Sequence, residues 1–208
     1  MKDQLERIAE YVAKNCCADD YTLNISYEDS HETRFAQNAI TQHIAGENIN
    51  VYLETSFDGK TGSAAINQAD ETGLDHLIQT AEGTARLNKP DPEYVPSENA
   101  KPIPTTKGAA DATTLLSPEK MVDIIQAVIA NADSKHAKVS GMTEKHFYRH
   151  LTATKNGFYG IYDQSVFSHS MTMKKDAIET KVSHSTRDFA KFKLIDQIGK
   201  LNQQFDSL

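Results

Sequence analysis

The sequence predicts an α+β protein in which one helix–antiparallel strands–helix unit occurs twice, with the helices packed on sheet faces. Three observations lead there. The first helical stripe, Leu5, Ile8, Val12 and Ala13, has a counterpart in Val122, Ile125, Ile129 and Ala130. The strand run Ile49, Val51, Leu53, Thr55 recurs as Phe167, His169, Met171, Met173 at almost the same offset. The closing helix with Leu77, Ile78 and Ala81 is answered by Leu194, Ile195 and Ile198. The step between copies far exceeds the ~20–50 residues of solenoid repeats, so a duplicated domain is expected. Its parts are residues 1–87, a connector at 88–117, and residues 118–208.

The elements follow from local pattern. Helical periodicity runs from Lys2 to Cys16 and stops at Asp19-Asp20. Alternation then places Leu23, Ile25 and Tyr27 opposite Asn24 and Ser26. Thr33 to Ile44 reads as one or two short strands, and Ile49 to Phe57 as the clearest strand. Asp58-Gly59 supplies the positive-φ positions of a tight hairpin turn before the return strand Thr61–Ile66. Asp70 or Thr72 caps a helix ending near Leu87, with Leu74, Leu77, Ile78, Ala81 and Ala85 as its stripe.

The connector carries Pro90, Pro92, Pro96, Pro102 and Pro104, which remove backbone donors and fix φ; it is expected to be exposed and irregular. Ser117-Pro118-Glu119 opens the next helix with a capping hydroxyl and proline at the first turn. Strands are expected across Lys138–Thr154, Phe158–Met173 and Ile178–His184, with a turn at Asn156-Gly157. A last helix runs from about Asp188 to Phe205 with Phe192, Ile195, Ile198 and Leu201 inward. It leaves no room here for another domain, so further parts are expected outside these residues.

Composition bounds function. Of 208 residues, 38% are hydrophobic and 25% charged, enough for a core without staples. The net charge of −7 argues against nucleic acid, whose phosphates need a positive footprint. No apolar run approaches the ~20 residues of a membrane span, and the N-terminus lacks the apolar core of a signal peptide. A cytoplasmic protein is expected.

Chemistry is sparse. His31-Glu32 begins a zinc-peptidase pattern, but Phe35 and Ala36 stand where a second histidine would fall. His146 and His150 are four apart in a strand-like run, where four residues span ~13 Å, so they read as solvated or structural. His169 takes the place of Val51 in the repeat, which implies packing. Cys16 and Cys17 are adjacent at a helix end, and their diverging side chains suit neither a disulfide nor a metal clip. The acidic pairs Asp19-Asp20 and Glu28-Asp29 read as turn and strand-end solvation. Phosphate-cradling and nucleophile-elbow motifs do not occur. No catalytic, cofactor-binding or metal residue is assigned, and neither tightly held zinc nor peptide hydrolysis is expected of these residues alone.

One resemblance covers essentially the whole chain. Glu32-Thr33-Arg34-Phe35-Ala36-Gln37-Asn38-Ala39-Ile40 is followed by Val51-Tyr52-Leu53, by Asp58-Gly59-Lys60-Thr61-Gly62-Ser63 and by an Ala-rich helix; Lys155-Asn156-Gly157-Phe158 comes later. Together these resemble the N-terminal domain of the TldD/PmbA family, metalloproteases also called modulators of DNA gyrase.

The resemblance implies a domain that shapes a peptide-binding cleft, a peptide or unfolded-protein substrate, and a homo- or heterodimer with a TldD/PmbA-type subunit. Members are usually about twice as long. Their H-E-x-x-x-H motif, an associated cysteine and the zinc lie in a C-terminal domain that this sequence does not reach, so the hydrolase chemistry is expected off this chain. One branch lacks the metal motif and serves as the non-catalytic partner. A binding or assembly subunit of a protease or gyrase-modulator-type complex is therefore the alternative reading.

Overall fold

In a computed structural model, which describes residues 2–97, 99–104 and 106–207, the chain is an α+β protein. The elements run α1 (Lys2–Asn15), β1 (Asp20–Ala36), β2 (Ala39–Phe57), β3 (Lys60–Ile66), α2 (Glu71–Leu87), α3 (Asp111–Thr114), α4 (Pro118–Ser134), β4 (Lys138–Thr154), β5 (Tyr159–Lys175), β6 (Ile178–Thr186) and α5 (Leu194–Asp206). The strands form one six-stranded antiparallel sheet in the order β3-β2-β1-β4-β5-β6. Each trio, β1-β2-β3 and β4-β5-β6, is a meander with a helix before and after it, as the duplicated pattern expects.

The expected short strands at the start of the chain are two long ones, 17 and 19 residues. They are joined at Gln37-Asn38, with φ of 53° and 65°. Asparagine tolerates this left-handed region through its short polar side chain. The turn carries no Asn-Gly or Asp-Gly signature, so alternation on either side of it reads as separate pieces. At the next turn Asp58 and Gly59, at φ 49° and 72°, behave as expected and set Phe57 opposite Lys60.

The chain divides into two compact units. Unit 1 holds Met1–Glu28, Asn48–Thr106 and Arg149–Tyr162; unit 2 holds Asp29–Glu47, Lys107–Tyr148 and Asp163–Leu208. This partition follows compactness, whereas division into 1–87 and 118–208 is a proposal about how the chain arose.

In unit 1, α2 lies on β3 and α1 packs beside α2. Asp70 caps α2, accepting from the Gly73 N–H at 2.8 Å. Leu74, Leu77, Ile78, Ala81 and Ala85 are buried, as are Val51 and Leu53. Ile49, on the same side of the strand, is only half-buried and lies beyond the last β3 partner, which faces Val51. On α1 the buried face is Leu5, Ile8, Ala9 and Val12, while Ala13 is exposed. Gly62 is where α2 presses onto β3: a Cβ there would collide with the backbone nitrogen of Ala85.

The connector is exposed over most of its length but tethered. Asp20 accepts from Ser97 N–H and Oγ, both at 2.6 Å, and from the Tyr94 hydroxyl at 3.0 Å. Asn156 Nδ2 donates to the Ser97 carbonyl at 2.6 Å. Contrary to the expectation of no regular structure up to residue 117, residues 111–114 form one helical turn, α3.

Unit 2 buries Phe35, Ile125, Val128, Ala132, Val139, Met171, Met173, Leu201 and Phe205 in one cluster, and Leu116, Met121, Ile124, Phe167 and Phe192 in another. The α4 face is thus Met121, Ile124, Ile125, Val128 and Ala132; of the expected stripe Ile125 is buried and Ile129 packs half-buried against the core, while Val122 is only half-buried and Ala130 is exposed. Ser117 caps α4 as expected, through Lys120 N–H. At the other end Asp188 caps only a 3-10 turn, Phe189–Lys191, and α5 starts at Leu194. That late start rotates Ile195 outward to 75% exposure and brings Gln197, Leu201 and Phe205 inward.

Candidate functional site

Strand alternation gives the sheet of unit 2 two chemically different faces. The helix-covered face is mostly apolar but buries several polar residues, Lys145, Thr143 and His169 among them. Lys145 is 5% exposed and its Nζ donates to the carbonyls of Leu116 at 3.3 Å and Thr114 at 3.4 Å. The Thr143 hydroxyl meets His169 Nδ1 at 2.8 Å. His169 stands directly opposite His184 across β5 and β6, and the Nε2 atoms of both find no hydrogen-bond partner among the described residues. Burial, assisted by the neighbouring His184, pushes the His169 imidazole down to about 4. Phe35 stacks on it at 6.2 Å and Phe192 meets it edge-on at 5.7 Å. His169 is a neutral packing residue.

The other face is half-buried and polar. β4 projects Glu144 and His146 from it, two residues apart and hence side by side, and the neighbouring β1 projects Glu32. One donor atom from each of the three lies within 4.8 Å of the others. The His146 ring is parallel to Tyr148, 3° between planes at 5.8 Å. Desolvation raises the Glu144 carboxyl above its ordinary value; the Glu32 charge adds to this, while His146 and Arg34 oppose it. Two carboxylates and an imidazole at this spacing can accept a proton, a cationic group or a metal ion.

The His31-Glu32 pair does not form half of a zinc-peptidase site. Consecutive strand residues point to opposite faces, so the imidazole and the carboxylate diverge. His31 Nε2 lies 3.4 Å from Asp29, and Thr33 Oγ1 meets His43 Nδ1 at 2.7 Å. Burial lowers the His31 pKa, Lys145 and His43 push the same way, and Asp29 opposes. The residues present do not fit the zinc site of the resembled family, and no catalytic step is derived through that metal.

In unit 1 a cavity of about 410 Å³ is lined by Phe158, Tyr159 and Tyr162 of the β4–β5 hairpin, by His150, and by Ile103 and Pro104 of the connector. Cys16 is buried and Cys17 exposed; both are free thiols. The sequence assigned no site residue. The proximity of Glu32 to Glu144 and His146 was invisible to it, because only the pairing of β1 with β4 brings them together. Its one local trace was the Glu144/His146 alternation.

Neither a protein-family model nor a curated protein sequence matches this chain. Solved structures do. TldE from Thermococcus kodakarensis superposes with a TM-score of 0.83 at 15% identity, covering 98% of this chain and 47% of that one. A candidate modulator of a DNA gyrase from Thermotoga maritima gives 0.80 at 14% identity over 100% of this chain and 48% of its own. One from Bacteroides thetaiotaomicron gives 0.77 at 15% identity, covering 98% of this chain and 49% of its own. The fold is therefore of the TldE and gyrase-modulator type, the fold the sequence resemblance implied. This chain spans about half the length of the structures it matches.

Proposed function

We propose that the chain is the cleft-shaping, peptide-accommodating domain of a TldD/PmbA-type metallopeptidase, with the zinc and the bond-breaking residues supplied outside these 208 residues. One observation carries the reading: the whole chain superposes on about half of each TldE or gyrase-modulator structure. The half-buried polar face of long strands around Glu32 and Glu144 is consistent with it, since an extended backbone needs polar partners as it leaves water. The proposal includes a homo- or heterodimer with a TldD/PmbA-type subunit and a cytoplasmic location. Among the described residues no helix is long and apolar enough to cross a membrane.

The test is fluorescence anisotropy with a labelled unstructured peptide, run beside a cleavage assay with and without chelator. Saturable binding without cleavage is expected. Chelator-sensitive cleavage by this chain alone, beyond a contaminant control, overturns the reading. Capture of a subunit bearing H-E-x-x-x-H with no peptide binding replaces it with the assembly-subunit reading.

A further inference from the structure

We propose that Glu32, Glu144 and His146 form a divalent metal site on the polar sheet face of unit 2, selective for a first-row transition ion such as zinc. The site shares the polar face that the proposed function offers to a peptide, but the peptidase reading rests on the fold match, places catalytic metal elsewhere and does not depend on this ion.

Geometry comes first. The three donor atoms lie within 4.8 Å of one another. An ion held at ~2.0–2.2 Å from each donor keeps its ligands roughly 3–4 Å apart, so rotation of the two glutamates closes the set without moving a strand. Two ligands come from one strand at i and i+2, which fixes their spacing by the pleat, and the third from its sheet neighbour. The stack of His146 on Tyr148 restricts the imidazole plane.

Donor type then selects the ion. Two carboxylate oxygens and one imidazole nitrogen suit zinc or manganese, whereas calcium and magnesium prefer all-oxygen shells. Three protein ligands leave at least one position for water.

Electrostatics supply the reason for an ion. Glu32 and Glu144 bring two carboxylates together on a half-buried face, where like charges repel. Arg34 offsets part of this repulsion, and a divalent cation between the carboxylates removes it outright.

Isothermal titration of the full chain with zinc chloride is the test. About one saturable equivalent is expected, weakened at least tenfold in Glu144→Gln and in His146→Gln. It should be unchanged in His76→Ala and His136→Ala, which remove exposed histidines elsewhere. Far-UV circular dichroism checks that the variants fold. If they do not, cadmium-113 NMR of the wild-type chain decides: a shift in the oxygen/nitrogen range supports the site, and a thiolate shift points to Cys17 and refutes it. No saturable binding, binding that survives the Glu144→Gln/His146→Gln pair, or binding lost with His76 or His136 also overturns the proposal.

Discussion

Asn38 and Val139 hold each other by two hydrogen bonds. The Asn38 side-chain oxygen accepts from the Val139 N–H at 2.6 Å, and the Val139 carbonyl accepts from the Asn38 N–H at 3.2 Å. Asn38 Nδ2 also donates to the Ala137 carbonyl and to Asp133. The tip of the β1–β2 hairpin is thereby pinned to the start of β4. At the tip of the β4–β5 hairpin the neighbour of Asn156 mirrors this: Lys155 N–H donates to the Tyr21 carbonyl at the start of β1.

Replacing Asn38 tests that pin. Asn38→Ala removes the side-chain bonds, leaves the Val139 N–H short of a partner, and places alanine at φ 65°. A loss of about 2–3 kcal/mol is expected by urea unfolding, and Asn38→Gly should recover only the backbone part. An unchanged midpoint for Asn38→Ala would show that the tip contributes nothing.

Close backbone approach gives a second prediction. A Cβ on Gly141 would collide with the Ser170 carbonyl oxygen and come within 2.7 Å of the Phe35 ring. Gly141→Ala should cost more than ~3 kcal/mol or prevent folding. Gly199 in α5 has open space around its Cβ position, so Gly199→Ala should stabilise by ~0.5–1 kcal/mol. Thermal melts of the two variants should move in opposite directions.

His169 sets an acid limit. Its imidazole is about 4 in the folded protein against 6.5 for a histidine free in water, so the unfolded chain binds the proton first. Stability is therefore full above about pH 6.5 and falls as pH drops toward 4, by about 3 kcal/mol if nothing compensates. His169→Phe should flatten this part of a pH-dependent unfolding series. A wild-type profile flat from pH 7 to 4 contradicts the assignment.

Asp20 anchors the connector. Burial acts to raise its carboxyl, but hydrogen bonds from Ser97, Tyr94 and the Tyr21 N–H outweigh that and hold it below its ordinary value. Asp20→Ala should release the segment around Tyr94 and Ser97, seen as faster limited proteolysis there while the sheet amides keep their exchange protection. Equal cleavage rates in wild type and variant would remove Asp20 as the tether.

Much of the fold was legible because it is local chemistry. The stripe of α2, the caps at Asp70 and Ser117, and the Asp58-Gly59 turn each follow from residues within one or two turns of each other, and each stands where expected. Helix phase at the second copy was less secure. Ile195 fits an apolar stripe only if the helix begins near Asp188, and the 3-10 turn at Phe189–Lys191 breaks that continuity.

The sequence by itself determined the α+β class, the repeated order of elements, the proline-rich connector up to the start of α3, and the lack of a contiguous catalytic motif in these 208 residues. Helix periodicity, strand alternation and turn chemistry are properties of neighbouring residues, so they survive without knowledge of the fold. Tertiary structure alone decided that β1 and β2 are single long strands turning at Asn38, and that Glu32 meets Glu144 and His146. The physical reason is the same in both. Pairing β1 with β4 joins residues remote in the chain, and it brings together carboxylates that no local preference would have placed side by side.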